Sequence, residues 1–213
     1  MPRTMPRYLG QLESIVTYLL DTAHAGDIIL ARTFKDRSLA REWNLNKTEL
    51  LYELAFLKLF IEWEKFLEET FLRYLCGYVS TKGQQAIMAG SYYRTLSEAE
   101  TAMLAGQKYV MWYDPNKVIA RAMGFLRGST HERVLASNSS RLSGLAAIRH
   151  RIAHGQADAR SRFDQASRMF AGKRYKGSRP GRFLRDRAGI GPRPQRWLDL
   201  FANELLGLAS QIV

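Results

Sequence analysis

The feature that most constrains the fold is the run from Asn46 to Cys76, which contains no glycine or proline. Its leucine and aromatic residues recur at helical spacing, and Gly77 follows the run directly. Asn46-Lys47-Thr48-Glu49 resembles a capping box at its start. The run therefore predicts one continuous helix of about eight turns. A helix of this length can form the centre of a bundle, and it excludes a strand anywhere in the span.

Helical spacing of apolar residues continues along most of the chain, without a convincing strand pattern. A first helix is predicted from Pro6 to Ala25, with Gly26 as its C-cap. Asp114-Pro115 has the cap and first-turn proline of a later helix start. We therefore expect an all-α, up-and-down helical bundle. Residues 1–45 would be an N-terminal helical extension packed on it, and residues 46–213 would be the main domain.

Composition is typical of a soluble protein. The hydrophobic fraction is 46%, and the single cysteine, Cys76, excludes an internal disulfide framework and suits a reducing compartment. No apolar stretch approaches the length of about 18 residues that spans a bilayer. The sequence therefore predicts a cytoplasmic protein that does not insert into a membrane.

The net charge of +12 is concentrated near the C-terminus. Residues 172–196, here called the basic segment, hold nine basic residues and one acid, Asp186. Such a surplus attracts polyanions, most often nucleic acid, although a loop that only aids solubility is the alternative. Its glycines and prolines predict a mobile loop inserted before the last helix. The residues expected to bind RNA are Lys173, Arg174, Lys176, Arg179, Arg182 and Arg185.

A second feature, AIRHRIAHG at residues 147–155, combines arginines with histidines on a predicted helix. His150 and His154 are four residues apart and share a face that points away from the apolar stripe, with Arg149 at its edge. Three interpretations are open: a metal site, a basic helix end that complements the helix dipole, or a phosphate site. The metal site is disfavoured because two arginines repel a cation. Arg151 also stands where metalloproteases with this spacing carry glutamate.

Three further polar residues need an interpretation. Glu64 lies on the apolar side of the long helix, where a carboxylate needs a partner. It is either part of a structural ion pair or a group that supports a catalytic residue. His24 and His131 have no comparable context and are expected at the surface.

Arg149, a polar residue after it, and then His154 together resemble the Arg-x(4–6)-His signature of the HEPN superfamily. LSGLAAIRHRIAHG, FIEWEKFLEETF and AMGFL after Asp114-Pro115 are similar to its RiboL-PSP branch. The resemblance covers roughly residues 45–213, which would be a HEPN-like helical domain. It implies metal-independent RNA cleavage by dimers that bring two such motifs into one cleft. Many members belong to toxin–antitoxin, phage-defence or RNA-processing systems.

The resemblance also implies roles for the motif residues. His154 would be the general base or acid, Arg149 would hold the non-bridging phosphate oxygens, and His150 would be a supporting contact. The 2′-hydroxyl of RNA would be the nucleophile, with no metal or other cofactor. Expected partners are RNA, a second copy that completes the active site and, in a toxin role, an antitoxin protein. The alternative is a non-catalytic helical module that binds RNA or a partner.

Overall fold

The computed structural model describes residues 3–189 and 195–213 and confirms the predicted all-α fold within them. The ten helices of this part are α1 (Tyr8–Thr33), α2 (Arg37–Glu42), α3 (Leu45–Leu75), α4 (Leu96–Leu104), α5 (Pro115–Phe125), α6 (Thr130–Ser137), α7 (Ser139–Ala153), α8 (Ala157–Ala171), α9 (Pro180–Arg185) and α10 (Trp197–Ile212). Two short strands, β1 (Ile87–Met88) and β2 (Leu126–Arg127), pair antiparallel with Ile87 opposite Arg127. None of the described helices combines the length and apolar character needed to cross a membrane.

The predicted long helix is confirmed as α3, which runs unbroken from Leu45 to Leu75. Its capping differs from the prediction. Asn44, and not Asn46, caps the helix, because its Oδ1 accepts a hydrogen bond from the Lys47 amide at 3.1 Å. Glu49 does not complete a capping box. It is only 4% exposed, and its carboxylate pairs with Arg179 Nη2 at 2.5 Å.

The prediction that α1 ends at Gly26 is wrong, since the helix continues to Thr33. A Cβ atom at Gly26 would lie 2.8 Å from Leu51 Cδ1 and 3.7 Å from the Trp43 ring. The glycine therefore allows α1 to approach α3 closely. A glycine in a helical sequence can therefore indicate either a helix end or a close contact with another helix. The sequence alone does not distinguish these two cases.

The chain divides into two compact units. The first holds Met1–Leu12, Glu62–Ser143 and Leu205–Val213, and the second holds Glu13–Ile61 and Gly144–Glu204. Both α1 and α3 contribute residues to each unit. The predicted division after residue 45 stays a prediction.

A buried histidine lies within the core of the first unit. His131 is 0% exposed, and its ring packs edge-on against Phe71 and Tyr74, with centroid distances of 5.5 Å in both cases. Its Nε2 lies 2.9 Å from Thr70 Oγ1. The expectation of a surface position for His131 is therefore wrong. Ser129 caps α6 through the Glu132 amide, and the helix places His131 on its buried face.

Acid should destabilise the fold through His131. Burial lowers its pKa to about 3, whereas an unfolded histidine takes up a proton below about pH 6.5. His131 thus has no effect on the pH dependence of stability above about pH 6.5. As the pH decreases from there towards 3, it lowers the free energy of unfolding by up to roughly 1.4 kcal/mol per pH unit. Urea unfolding at several pH values should show a shallower acid dependence for His131→Gln than for the wild type. Equal slopes would contradict this account.

An aromatic cluster fills the core of the second unit. The Phe183 ring lies 6.0 Å from Phe163, 5.3 Å from Trp197 and 5.9 Å from Phe201, centroid to centroid. Phe163, Phe183 and Phe201 are each 0% exposed. Because these rings belong to α8, α9 and α10, burial of one cluster fixes three helices together.

The basic segment is not a loop throughout, because α9 lies within it. Its mobility stays a prediction. Pro180 occupies the first turn of α9, where a missing amide proton costs nothing. The Gly181 amide donates to Glu53 Oε1 at 2.8 Å, and a Cβ atom at this position would overlap the carbonyl oxygen of Glu49. The segment therefore packs directly on α3. Residues 190–194, including Arg193, lie outside the described residues.

Candidate active site and basic groove

Close packing fixes the half of α7 that lies in the second unit. Leu145 and Ile148 are both 0% exposed, which matches the predicted apolar stripe. A Cβ atom at Gly144 would lie 2.8 Å from Phe170 Cε2, so only glycine lets α7 approach α8 this closely. The last turn of α7 is consequently held in a defined direction.

That last turn brings the two motif histidines together. The rings of His150 and His154 lie 4.5 Å apart, centroid to centroid, with their planes inclined at 52°. Their expected shared face is therefore present. His154, one residue beyond the end of the helix, is exposed, whereas His150 and Arg149 are half-buried.

The surroundings of His150 favour its neutral form. Its partial burial lowers the pKa most, and the neighbouring His154 ring and the Arg162 guanidinium lower it further. The Asp158 carboxylate acts in the opposite direction, but it pairs with Arg162 at 3.0 Å. A neutral imidazole has one donor and one acceptor nitrogen, which suits the supporting contact expected of His150.

Arg151 has a role that sequence reasoning missed. Its Nη1 donates to the carbonyl of His154 at 3.1 Å, and its Nε donates to the carbonyl of Ser178 at 3.2 Å. The side chain thus satisfies a carbonyl just past the end of α7 and ties that end to the basic segment. A basic residue in the last helical turn was the available signal.

The other candidate residues lie in separate surroundings. Glu64 is half-buried on α3 in the first unit, and its supporting role stays a prediction. His24 is partly exposed, but it has a partner, because its Nε2 lies 2.8 Å from Asp199 Oδ1. His24 is therefore partly exposed, as expected, but it has an acidic partner that was not expected.

Carboxylates from three other helices neutralise much of the basic segment. Arg174 pairs with Asp164 of α8 at 2.5 Å, and Arg179 pairs with Glu49 of α3. Within the segment, Lys173 pairs with Asp186 at 2.8 Å. The count of nine cations against one acid overlooked Asp164 and Glu49, which lie outside the basic segment.

The third such acid, Asp27 of α1, is the centre of a hydrogen-bonded cluster. It accepts from Tyr52 Oη at 2.6 Å, from Arg185 Nε at 2.7 Å and from Arg196 Nη2 at 2.6 Å. Burial, together with the hydrogen bond to Asp27, raises the pKa of Tyr52. The Arg196 guanidinium also lies 5.6 Å from the Tyr52 ring centroid. The cluster ties the basic segment to α1 and α3.

A groove of about 870 Å³ opens beside this segment within the second unit. Its volume falls in the range of about 300–1,000 Å³ that is usual for ligand sites. The charged residues that line it are Glu49, Lys173, Arg174, Lys176, Arg179, Arg182, Arg185, Asp186, Arg187 and Arg196. Eight of these ten residues are basic, which makes the groove strongly cationic.

In the described part of the chain, no group of three or more His, Cys, Asp and Glu side chains has an arrangement that could hold a metal ion. Comparisons with protein-family models, with curated proteins and with solved structures find no significant match.

Proposed function

We propose that the chain is a metal-independent endoribonuclease of the HEPN type, which cleaves RNA through attack of its own 2′-hydroxyl. The observation that carries the proposal is the pairing of the His150 and His154 rings at 4.5 Å, next to Arg149 at the end of α7. The reaction needs groups that move protons and a fixed positive charge at the phosphate. This one turn supplies both.

In the proposed mechanism, the 2′-oxygen bonds to the adjacent phosphorus while the bond from phosphorus to the 5′-oxygen breaks. The 2′-hydroxyl loses its proton, and the leaving 5′-oxygen gains one. His154 is exposed and is therefore placed to make one of these transfers. The guanidinium group of Arg149 stabilises the non-bridging oxygens. The neutral form of His150 supports the phosphate through a hydrogen bond.

The proposal includes a homodimer that forms a composite active site, as the HEPN resemblance implies. The exposed position of His154 is compatible with a site shared between two copies. Light scattering at micromolar concentration should give twice the mass of the chain. A fully active monomer would remove the dimer from the proposal and leave the chemistry in place.

The biological setting that we propose is a cytoplasmic toxin–antitoxin, phage-defence or RNA-processing system. In a toxin role the enzyme would have an antitoxin protein as a partner.

The test is incubation of the purified protein with end-labelled RNA, with and without EDTA. Cleavage should be unaffected by the chelator, and the products should carry 2′,3′-cyclic phosphate and 5′-hydroxyl ends. DNA of the same sequence should stay intact because it has no 2′-hydroxyl. Inhibition by EDTA, or products with 5′-phosphate ends, would contradict the mechanism.

The second candidate is a non-catalytic module that binds RNA, and the cationic groove of about 870 Å³ favours it. Binding of RNA without any cleavage, under conditions in which the protein is folded, would select this alternative.

A further inference from the structure

The cations of the groove fall into two sets. Five of them form ion pairs with carboxylates: Lys173, Arg174, Arg179, Arg185 and Arg196. Three others, Lys176, Arg182 and Arg187, line the same groove and form no ion pair with a carboxylate of residues 3–189 or 195–213. The carboxylate of a paired cation offsets its attraction for a phosphate and occupies some of its N–H donors, whereas an unpaired cation exchanges only water. The two sets should therefore differ in what they contribute to binding.

We propose that Lys176, Arg182 and Arg187 are the phosphate-binding residues of the groove, and that the five paired cations hold its walls in place. The ligand is the phosphate backbone of single-stranded RNA, and this part rests on the proposed function. All three side chains are exposed. They are therefore accessible to the phosphates of a bound strand.

Local packing holds Arg182 and Lys176 on a defined surface. Arg182 belongs to α9, whose Phe183 and Leu184 are both 0% exposed. Lys176 precedes a turn in which Ser178 has a left-handed φ of 47°, a conformation that costs a non-glycine residue free energy. The Ser178 hydroxyl donates to Asp164 Oδ1 at 2.9 Å, and its carbonyl accepts from Arg151 Nε. These bonds stabilise the turn.

The same turn connects the groove to the candidate active site. Arg151 contacts Ser178 on one side and the carbonyl of His154 on the other. Phosphates bound at Lys176 would thus be close along the surface to the end of α7. This continuity favours the backbone of the cleaved strand as the occupant of the groove.

The groove offers charge and little opportunity for base stacking. Tyr175, the aromatic residue that lines it, is only 5% exposed, and its hydroxyl donates to Asp186 Oδ2 at 2.7 Å. Stacking on exposed rings is a usual source of affinity in single-strand binding. Without it, binding should depend on phosphates alone, so RNA and DNA of equal length should bind with similar affinity.

The experiment measures binding of a fluorescent 2′-O-methyl RNA of about 12 nucleotides, which cannot be cleaved by 2′-hydroxyl attack, over a range of salt concentrations. The groove variant carries Lys176→Gln, Arg182→Gln and Arg187→Gln. The matched control carries Lys35→Gln, Arg37→Gln and Arg41→Gln, which remove the same charge from exposed residues outside the groove lining. Unlabelled single-stranded DNA serves as the competitor.

The log–log salt slope of the groove variant should be shallower by about two, from roughly 0.7 for each lost phosphate contact. Its affinity near 0.1 M salt should fall at least about ten-fold. The control should keep nearly the wild-type slope, and the DNA should compete as well as RNA. Equal slopes for the two variants would overturn the inference, as would poor competition by DNA.

Two further measurements keep the outcome unambiguous. If the triple variant does not fold, each single substitution should reduce the slope by about 0.7. Cleavage of RNA by the wild type is followed separately. If the wild type cleaves no RNA but the groove variant loses binding, the nuclease proposal is refuted and the phosphate-binding role of the groove is supported. If the wild type cleaves RNA but the groove variant keeps the wild-type salt slope, the nuclease proposal is supported and the phosphate-binding role of the groove is refuted.

Discussion

Replacing His154 with alanine should lower the rate of RNA cleavage by about 100-fold or more, because it removes a group that transfers a proton in the rate-determining step. Arg149→Ala should cause similar damage, since one preorganised donor at the transition state is worth about 3 kcal/mol. His150→Ala should reduce the rate less, because its role is supporting. The measurement is the initial rate of cleavage of a labelled RNA under single-turnover conditions.

The matched control for Arg149 is Arg37→Ala, an exposed arginine on α2 outside the motif and the groove. It should leave the rate within about two-fold, as expected for an exposed position away from the site. Arg149 is half-buried, so circular dichroism and thermal unfolding must show that its variant is folded. Wild-type activity in a folded His154→Ala protein would refute the assigned chemistry.

Replacing Asp27 with alanine should have the largest effect on stability. The substitution leaves the hydroxyl of Tyr52 and the guanidinium groups of Arg185 and Arg196 without their common acceptor. The loss of one partner from a buried charge pair costs about 3–5 kcal/mol. The two arginine side chains here are 30% and 26% exposed, so partial hydration should reduce the cost to about 2–4 kcal/mol.

Asp21→Ala is the matched control, because Asp21 is an exposed residue of the same helix. It should change the free energy of unfolding by no more than about 0.5 kcal/mol. Urea unfolding compares the two variants with the wild type. If Asp27→Ala destabilises the protein no more than Asp21→Ala, the cluster does not hold the basic segment in place.

Features set by neighbouring residues could be predicted from the sequence. The length of α3 follows from an uninterrupted apolar period, and Asp114 caps α5 through the Asn116 amide as its Asp-Pro pair indicates. The shared face of His150 and His154 follows from helical spacing alone. Each of these depends on residues a few positions apart.

Features set by distant residues could not be predicted in the same way. Glycine often ends a helix, but Gly26 lies inside α1, where the helix passes close to Leu51. The sequence of the basic segment shows a large surplus of positive charge. In the fold, Asp27 and Glu49, which are more than a hundred positions earlier, form ion pairs with it. His131 is buried because of the way that α6 packs, which a lone histidine does not reveal.

The most direct test of the central claim uses an RNA oligonucleotide with a single 2′-deoxy nucleotide on the 5′ side of a mapped cleavage site. If the 2′-hydroxyl is the nucleophile, cleavage at that one bond should disappear, while other sites in the same molecule are cut at their usual rates. Cleavage of the modified bond at a similar rate would mean that water attacks the phosphate, and it would contradict the proposed mechanism.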